Sequence, residues 1–134
     1  MARRILLVAA LMGALGVILG AFGAHGLESA VKDWGLAVDE QIQQLTIWKV
    51  AVRYQMYHAL ALLATGILAV HKPTKSLVVA GTAFTLGTLV FSGCLYALVL
   101  SGVKILGAVV PLGGLGMIVG WLALAVAVWR MKLD

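Results

Sequence analysis

Charged side chains are scarce in this chain. Only 11% of its 134 residues are charged and only 5 are acidic, whereas 63% are hydrophobic and the mean hydropathy is +1.07. About a quarter of the residues of a soluble domain are charged, so this chain has too little polar surface to cover a water-soluble globule. The excess apolar surface must face lipid, which predicts a single membrane domain over residues 1–134.

Cysteine is almost absent, and the basic residues form no patch. Cys94 is the single cysteine, which excludes an intramolecular disulfide and a CxxC motif. Inside an apolar helix its thiol acts as a small hydrophobic group. The net charge of +5 comes from Lys and Arg residues that flank apolar runs. Such residues set membrane topology and contact lipid headgroups, so we expect the lipid bilayer as a partner and no nucleic acid.

Four apolar runs predict four transmembrane helices, at about residues 5–24, 51–70, 77–100 and 105–129. Each is close to the ~20 residues that cross a bilayer. The first run follows Arg3 and Arg4 as in a signal peptide, but it exceeds the ~7–15 residues of a signal-peptide hydrophobic region. Pro111 either begins the fourth helix or kinks it. The predicted fold is all-α, an integral membrane four-helix bundle.

The longest polar segment, Leu27 to Lys49, separates the first two runs. Asp39 is a candidate N-cap, and apolar residues follow it at helical spacing. This pattern predicts an amphipathic interfacial helix at about residues 39–50 in the first loop, either separate from the second transmembrane helix or continuous with it. Trp34 and Trp48 are expected at headgroup depth, where an apolar ring and a polar N–H are both satisfied.

The basic residues are distributed unequally between the two sides of the predicted bundle. The side with the termini carries Arg3, Arg4, Lys72, Lys75, Arg130 and Lys132. The other side carries Lys32, Lys49, Arg53 and Lys104, together with most of the acids. The excess of Lys and Arg on the first side predicts a multi-pass protein of the cell inner membrane with both termini cytoplasmic.

Glycines recur at helical spacing in the first and fourth runs. The predicted helix-packing residues are Gly13, Gly16, Gly20, Gly23, Gly116 and Gly120. A face without side chains lets another helix backbone approach closely, which drives association inside lipid. The partner of each face is either a helix of this chain or a helix of another one.

Several polar side chains fall inside the predicted spans, where they are costly and mark candidate functional sites. The candidate polar cluster comprises His25, Arg53, Tyr54, Gln55, His58, Ser92 and Tyr96. The span boundaries place these residues in one layer, with His58 roughly 8–10 Å below the membrane surface on the side away from the termini. The layer either seals that end of the bundle or forms part of a transport route. Beyond His58 the second span is purely apolar, so no continuous polar path is evident.

Cofactor sites have weak support in the sequence. His25 and His58 could clamp a haem, since histidine is a common axial ligand in membrane bundles. A zinc site would need ligands beyond His25, His58 and Cys94. No nucleophile with a base, phosphate loop or carboxylate pair lies in a span. We therefore expect no cofactor, no metal and no enzymatic activity, with haem as an alternative.

Four motifs resemble a known family. They are Gly-Ala-Phe-Gly-Ala-His-Gly-Leu at residues 20–27, Arg-Tyr-Gln-Met-Tyr-His-Ala-Leu at 53–60, Phe-Ser-Gly-Cys-Leu-Tyr at 91–96, and Pro-Leu-Gly-Gly at 111–114 with Gly120-Trp121. In this order they resemble the YgdD / transmembrane-protein-256 family of small multi-span proteins from bacterial and mitochondrial inner membranes. The resemblance implies a fold and a location, but it supplies no catalytic or binding residues because the family's function is unknown.

The leading functional hypothesis is a non-enzymatic accessory or structural subunit of a larger membrane complex, or a homo-oligomer. A small transporter or channel that uses the polar cluster is the second hypothesis. A haem-binding electron-transfer subunit is the third.

Overall fold

The structure is a computed structural model that describes residues 1–131, and this part of the chain is almost entirely helical. The first unit is α1 (Ala2–Phe22), which continues through a π-helical segment (Gly23–Leu27) into α2 (Glu28–Asp33). The other helices are α3 (Val38–His71), α4 (Lys75–Ser101) and α5 (Ile105–Trp129). No strand occurs in residues 1–131, so the prediction of an all-α chain is confirmed there.

Three helical units are long and apolar enough to cross a membrane: Ala2–Asp33, Lys75–Ser101 and Ile105–Trp129. The remaining long helix, α3, has 34 residues. Its apolar half begins with Tyr54, Gln55, Tyr57 and His58, which lower its mean hydropathy.

The four long helices pack in the order α1, α3, α4, α5, each against the next. We name the end that carries Arg3, Arg4 and the turn between His71 and Lys75 the basic end, and the opposite end the loop end. At the basic end an apolar core joins all four helices, with residues such as Ala69, Leu77 and Ala127 at its centre. A second core around Trp48 lies at the loop end and joins α1–α4.

The ends of α3 and α4 follow from local residues. Thr74 caps α4, since its hydroxyl oxygen accepts a hydrogen bond from the Leu77 amide at 3.3 Å. Gly102 ends α4 with a φ of +68°, a left-handed conformation that glycine adopts without strain. The predicted N-cap of α3 is wrong: α3 begins after Ala37, whose amide donates to the Glu40 carboxylate at 3.1 Å. Asp39 lies within the first turn, where its charge complements the helix dipole.

The first loop differs from the prediction. The chain remains helical from α1 through the π-helical segment to Asp33, nine residues beyond the predicted end of the first span at residue 24. Residues 39–50 are helical and form the first third of α3, continuous with the second predicted span. Pro111 lies inside α5, six residues after its first residue, so it does not begin that helix.

Candidate functional site

The residues of the candidate polar cluster do not form one site. His25 lies apart, and the others are divided among three places. Gly23 of the π-helical segment packs against Trp48, where an added Cβ would lie 2.5 Å from the indole Cδ1. His58 follows Trp48 by ten residues, which is about 15 Å along the helix axis. His25 is also exposed. One haem between His25 and His58 therefore does not fit this arrangement.

His58 lies well inside the helix bundle, where it is 5% exposed. Its Nε2 accepts a hydrogen bond from the Trp121 indole N–H at 3.3 Å, and its ring centroid is 5.6 Å from that of Phe84. Trp121 and Phe84 are 16 and 17 residues from the loop ends of α5 and α4, or about 24–26 Å. α4 extends nine residues beyond Ser92, which bonds to Ala51. The depth of roughly 8–10 Å below the membrane surface stays a prediction.

Gln55 is the centre of an interhelical network. Its side chain is 4% exposed, its amide nitrogen donates to the Met12 carbonyl of α1 at 2.8 Å, and its oxygen accepts from the Tyr96 hydroxyl of α4 at 2.9 Å. Ser92 of α4 donates to the Ala51 carbonyl at 2.9 Å. We name Gln55, Ser92 and Tyr96 the Gln55 network. Their hydrogen bonds hold α1, α3 and α4 together.

His58 is held on the other side of α3 by two hydrogen bonds. Its Nδ1 lies 2.8 Å from the Tyr54 carbonyl oxygen, which can only accept, so Nδ1 carries the proton. The Trp121 N–H can only donate, so Nε2 is unprotonated. This pair fixes His58 as one neutral tautomer. The Trp121 N–H thereby has its acceptor on another helix, α3.

A groove of about 670 Å³ lies between α3 and α5. The two helices make little direct contact, and the groove opens between them toward the surrounding lipid. The residues that line it include Tyr54, Tyr57, Phe91, Met117, Ile118 and Trp121, with His58 at its base. Half of the Trp121 side chain and 57% of Tyr57 are exposed. We name this feature the α3–α5 groove.

The predicted packing glycines of α1 face α3. Gly16 lies against Gln55 and Met56, Gly20 against Val52 and Gly23 against Trp48, while the space beside Gly13 is open. This arrangement assigns three of the four glycines to packing within the chain.

On α5, Gly116 lies against the backbone of Gly87, and Gly120 against the ring of Phe84. The sequence analysis missed Gly87 and Gly113, which form the tightest contact between α4 and α5. The spacing of Gly113, Gly116 and Gly120 by three and four residues is a signal that could have identified Gly113.

Trp48 and Arg53 lie where α1 meets α3. Trp48 is not an exposed anchor: it is 2% exposed, and its indole N–H donates to the Leu19 carbonyl at 2.8 Å. It is buried because Gly23 leaves room for the ring. Arg53 is exposed and lines a small notch with Lys49, which the sequence analysis did not select.

The part of the chain that the structure describes contains no metal-ligand cluster. Within residues 1–131, no group of three His, Cys, Asp or Glu side chains is arranged to hold a metal ion. Lys132, one of the residues used to predict the topology, lies outside the described residues.

The Gln55 network leads to a stability prediction. Gln55→Leu should destabilise the bundle by about 1–2 kcal/mol, since it removes two interhelical hydrogen bonds and strands the Tyr96 hydroxyl and the Met12 carbonyl. Tyr96→Phe should cost less, because it removes only one of the two bonds. Unfolding of the purified protein in bicelles would measure both. The double variant should be less destabilised than the sum of the single variants, and strict additivity would contradict the Gln55–Tyr96 bond.

Comparison with known proteins identifies relatives over almost the whole chain. A UPF0382 membrane protein of Staphylococcus aureus (strain bovine RF122 / ET3-1) is 39% identical over 127 residues, covering 93% of this chain and 94% of the relative. A UPF0382 membrane protein of Staphylococcus epidermidis (strain ATCC 35984) is 42% identical over 124 residues, covering 91% of this chain and 92% of the relative. The UPF0382 membrane protein YwdK of Bacillus subtilis (strain 168) is 39% identical over 123 residues, covering 91% of this chain and 93% of the relative.

No solved structure matches the chain. A family model described as "Protein of unknown function (DUF423)" matches residues 19–114, which include the Gln55 network and most of the α3–α5 groove. Together with the apolar helices, these relatives show that the chain is a multi-pass membrane protein and belongs to the DUF423 / UPF0382 membrane protein family.

Proposed function

We propose that this protein is a non-catalytic accessory or structural subunit that binds another membrane protein through the α3–α5 groove. In this proposal α3 crosses the membrane together with the three more apolar units, and both termini are cytoplasmic. The Lys and Arg distribution supports that orientation. The resemblance to the YgdD / transmembrane-protein-256 family supports a location in the inner membrane.

The observation that carries the proposal is the lining of the α3–α5 groove. Tyr54, Tyr57, Phe91, Met117 and Trp121 line it, and aromatic residues and Met are the types enriched at protein interfaces. Tyr and Trp in particular supply much of the binding energy at such sites. A transmembrane helix with large apolar side chains at i and i+3 or i+4 would fill the groove.

The packing of the glycines favours the α3–α5 groove over the glycine faces of α1 and α5 as the surface that binds a partner. Gly16, Gly20 and Gly23 face α3, and Gly116 and Gly120 face α4, so these close-approach surfaces are occupied within the chain. At about 670 Å³ the α3–α5 groove also has more than twice the volume of the small notch between α1 and α3, which measures about 280 Å³.

The transport hypothesis receives less support. Gln55, His58 and Ser92 already make hydrogen bonds inside the bundle, so they are not lined up for transfer of a solute or proton. Toward the basic end α3 continues with buried Ala59, Ala61 and Leu62, which offer no ionisable group. A haem between His25 and His58 is disfavoured by their separation along α3.

Site-specific photocrosslinking in native membranes tests the proposal. A photoreactive residue at Tyr57 or Ile118, both on the groove, should give a discrete adduct with another membrane protein. The matched control is Leu11 of α1, an apolar residue that is 69% exposed outside the groove, and it should label only lipid. Groove positions that react like Leu11 would contradict the proposal. An adduct at twice the mass of the chain would instead assign the groove to a second copy of the protein.

A further inference from the structure

We propose that a notch between α1 and α3 binds the phosphate group of an anionic membrane lipid. Lys49 and Arg53 form one wall of the notch, and Gly20, Gly23 and Ala24 form the other. The notch has a volume of about 280 Å³. It lies between α3 and α1 and shares no lining residue with the α3–α5 groove, so it is a second site that does not depend on the proposed partner.

The charge at the notch lacks a counter-ion among the described residues 1–131. Lys49 and Arg53 are four residues apart on one helix face, where like charges repel. Within residues 1–131, the salt bridge formed is Lys32 with Glu28, and no carboxylate lies within salt-bridge distance of Lys49 or Arg53. An anion between the two side chains would offset their repulsion. A phosphate oxygen pair matches the planar Arg guanidinium, and Lys adds a point charge.

The shape of the notch suits a headgroup because small residues leave it open. A Cβ added to Gly20 would lie 3.5 Å from the Val52 side chain, so a larger residue there would begin to fill the space. Further along α1 toward the basic end, the position beside Gly13 has nothing within 4 Å. An acyl chain attached to the bound phosphate could therefore continue along the surface of α1.

The depth of the notch agrees with the position of lipid phosphates. Gly20 is 18 residues after Ala2, a distance of about 27 Å along α1. The hydrocarbon core of a bilayer is about 30 Å thick. If the first turn of α1 lies at one membrane surface, the notch lies at the other, at the level of the lipid headgroups.

Native mass spectrometry of the full-length protein in detergent tests the assignment. We expect phosphatidylglycerol to bind at least about tenfold more tightly than phosphatidylcholine, because the choline cation is repelled by Lys49 and Arg53. The double variant Lys49→Gln/Arg53→Gln should lose about tenfold in phosphatidylglycerol affinity. The exchanged variant Lys49→Arg/Arg53→Lys, which keeps both charges, should retain most of it.

A charge-matched variant provides the control. Lys32→Gln/Lys104→Gln removes two exposed cations from the same end of the molecule and should bind phosphatidylglycerol like the wild type. Equal binding by the notch double variant, or no preference for phosphatidylglycerol, would overturn the proposal. Complete displacement of phosphatidylglycerol by millimolar inorganic phosphate would overturn the assignment to a lipid and identify the free anion as the ligand.

Discussion

Gly87→Val is expected to destabilise the protein by at least about 3 kcal/mol, at the upper end of the cost of overpacking. A Cβ at Gly87 would lie 2.7 Å from the Met117 amide nitrogen and 2.9 Å from the Gly113 carbonyl oxygen. Both obstructing atoms are backbone, so no side-chain rotation relieves the overlap. The helices must separate, and they then lose the contacts on both sides of the crossing. Thermal unfolding in detergent, or steric trapping in bicelles, would measure the change.

Gly93→Val is the matched control on the same helix. Gly93 is exposed, and an added Cβ there meets no atom within 4 Å, so we expect a change within about 0.5 kcal/mol. Gly113→Val should resemble Gly87→Val, because a Cβ at Gly113 would overlap the backbone of Phe91. A Gly87→Val protein as stable as Gly93→Val would show that α4 and α5 do not approach through these glycines.

The same crossing connects the fold with the proposed function. Gly113 and Gly116 hold α5 against α4, and the next residues on α5, Met117, Ile118 and Trp121, form one wall of the α3–α5 groove. Separation of α4 from α5 should therefore abolish the protein adduct from Ile118. The crosslink from Leu11 to lipid should persist, since α1 packs mainly on α3.

The helix class and several helix ends could be predicted from the sequence because their signals are local. Low charge and long apolar runs require helices in a membrane, where every backbone hydrogen bond must be satisfied within the segment. The turn between α3 and α4 contains Pro73 and the capping residue Thr74, and α4 ends at Gly102. Each of these residues acts within three or four positions of itself in the chain.

The site could not be predicted in full because it depends on the register between helices. Tyr54, Gln55 and His58 are close in sequence. Gln55 nevertheless faces α1 and α4, whereas His58 faces Trp121 of α5. His25 was included because the predicted spans ended at similar positions. The continuation of α1 through the π-helical segment instead leaves His25 beside the first third of α3. Neither fact has a local signal in the chain.

Trp48→Ala is expected to cost about 3–5 kcal/mol, the range for truncation of a buried aromatic side chain. The indole centroid lies 4.6 Å from that of Tyr96 and 5.4 Å from that of Phe22, so one ring joins three segments. Trp48→Phe should cost only about 1 kcal/mol, since it keeps the packing but loses the N–H bond to Leu19. Trp129→Ala is the control for loss of a tryptophan, because Trp129 is 86% exposed and should contribute little.

A double-mutant cycle with Gly23 isolates the contact that buries Trp48. A Cβ at Gly23 would lie 2.5 Å from the indole Cδ1 and 2.7 Å from its Nε1, so Gly23→Ala should destabilise the wild-type protein by about 1–3 kcal/mol. In the Trp48→Ala background the same substitution has space and should be neutral or slightly stabilising, since alanine favours a helix over glycine. Unfolding in bicelles would measure all four proteins. Equal effects of Gly23→Ala in both backgrounds would mean that the indole does not rest on Gly23, and α1 would then meet α3 in another register.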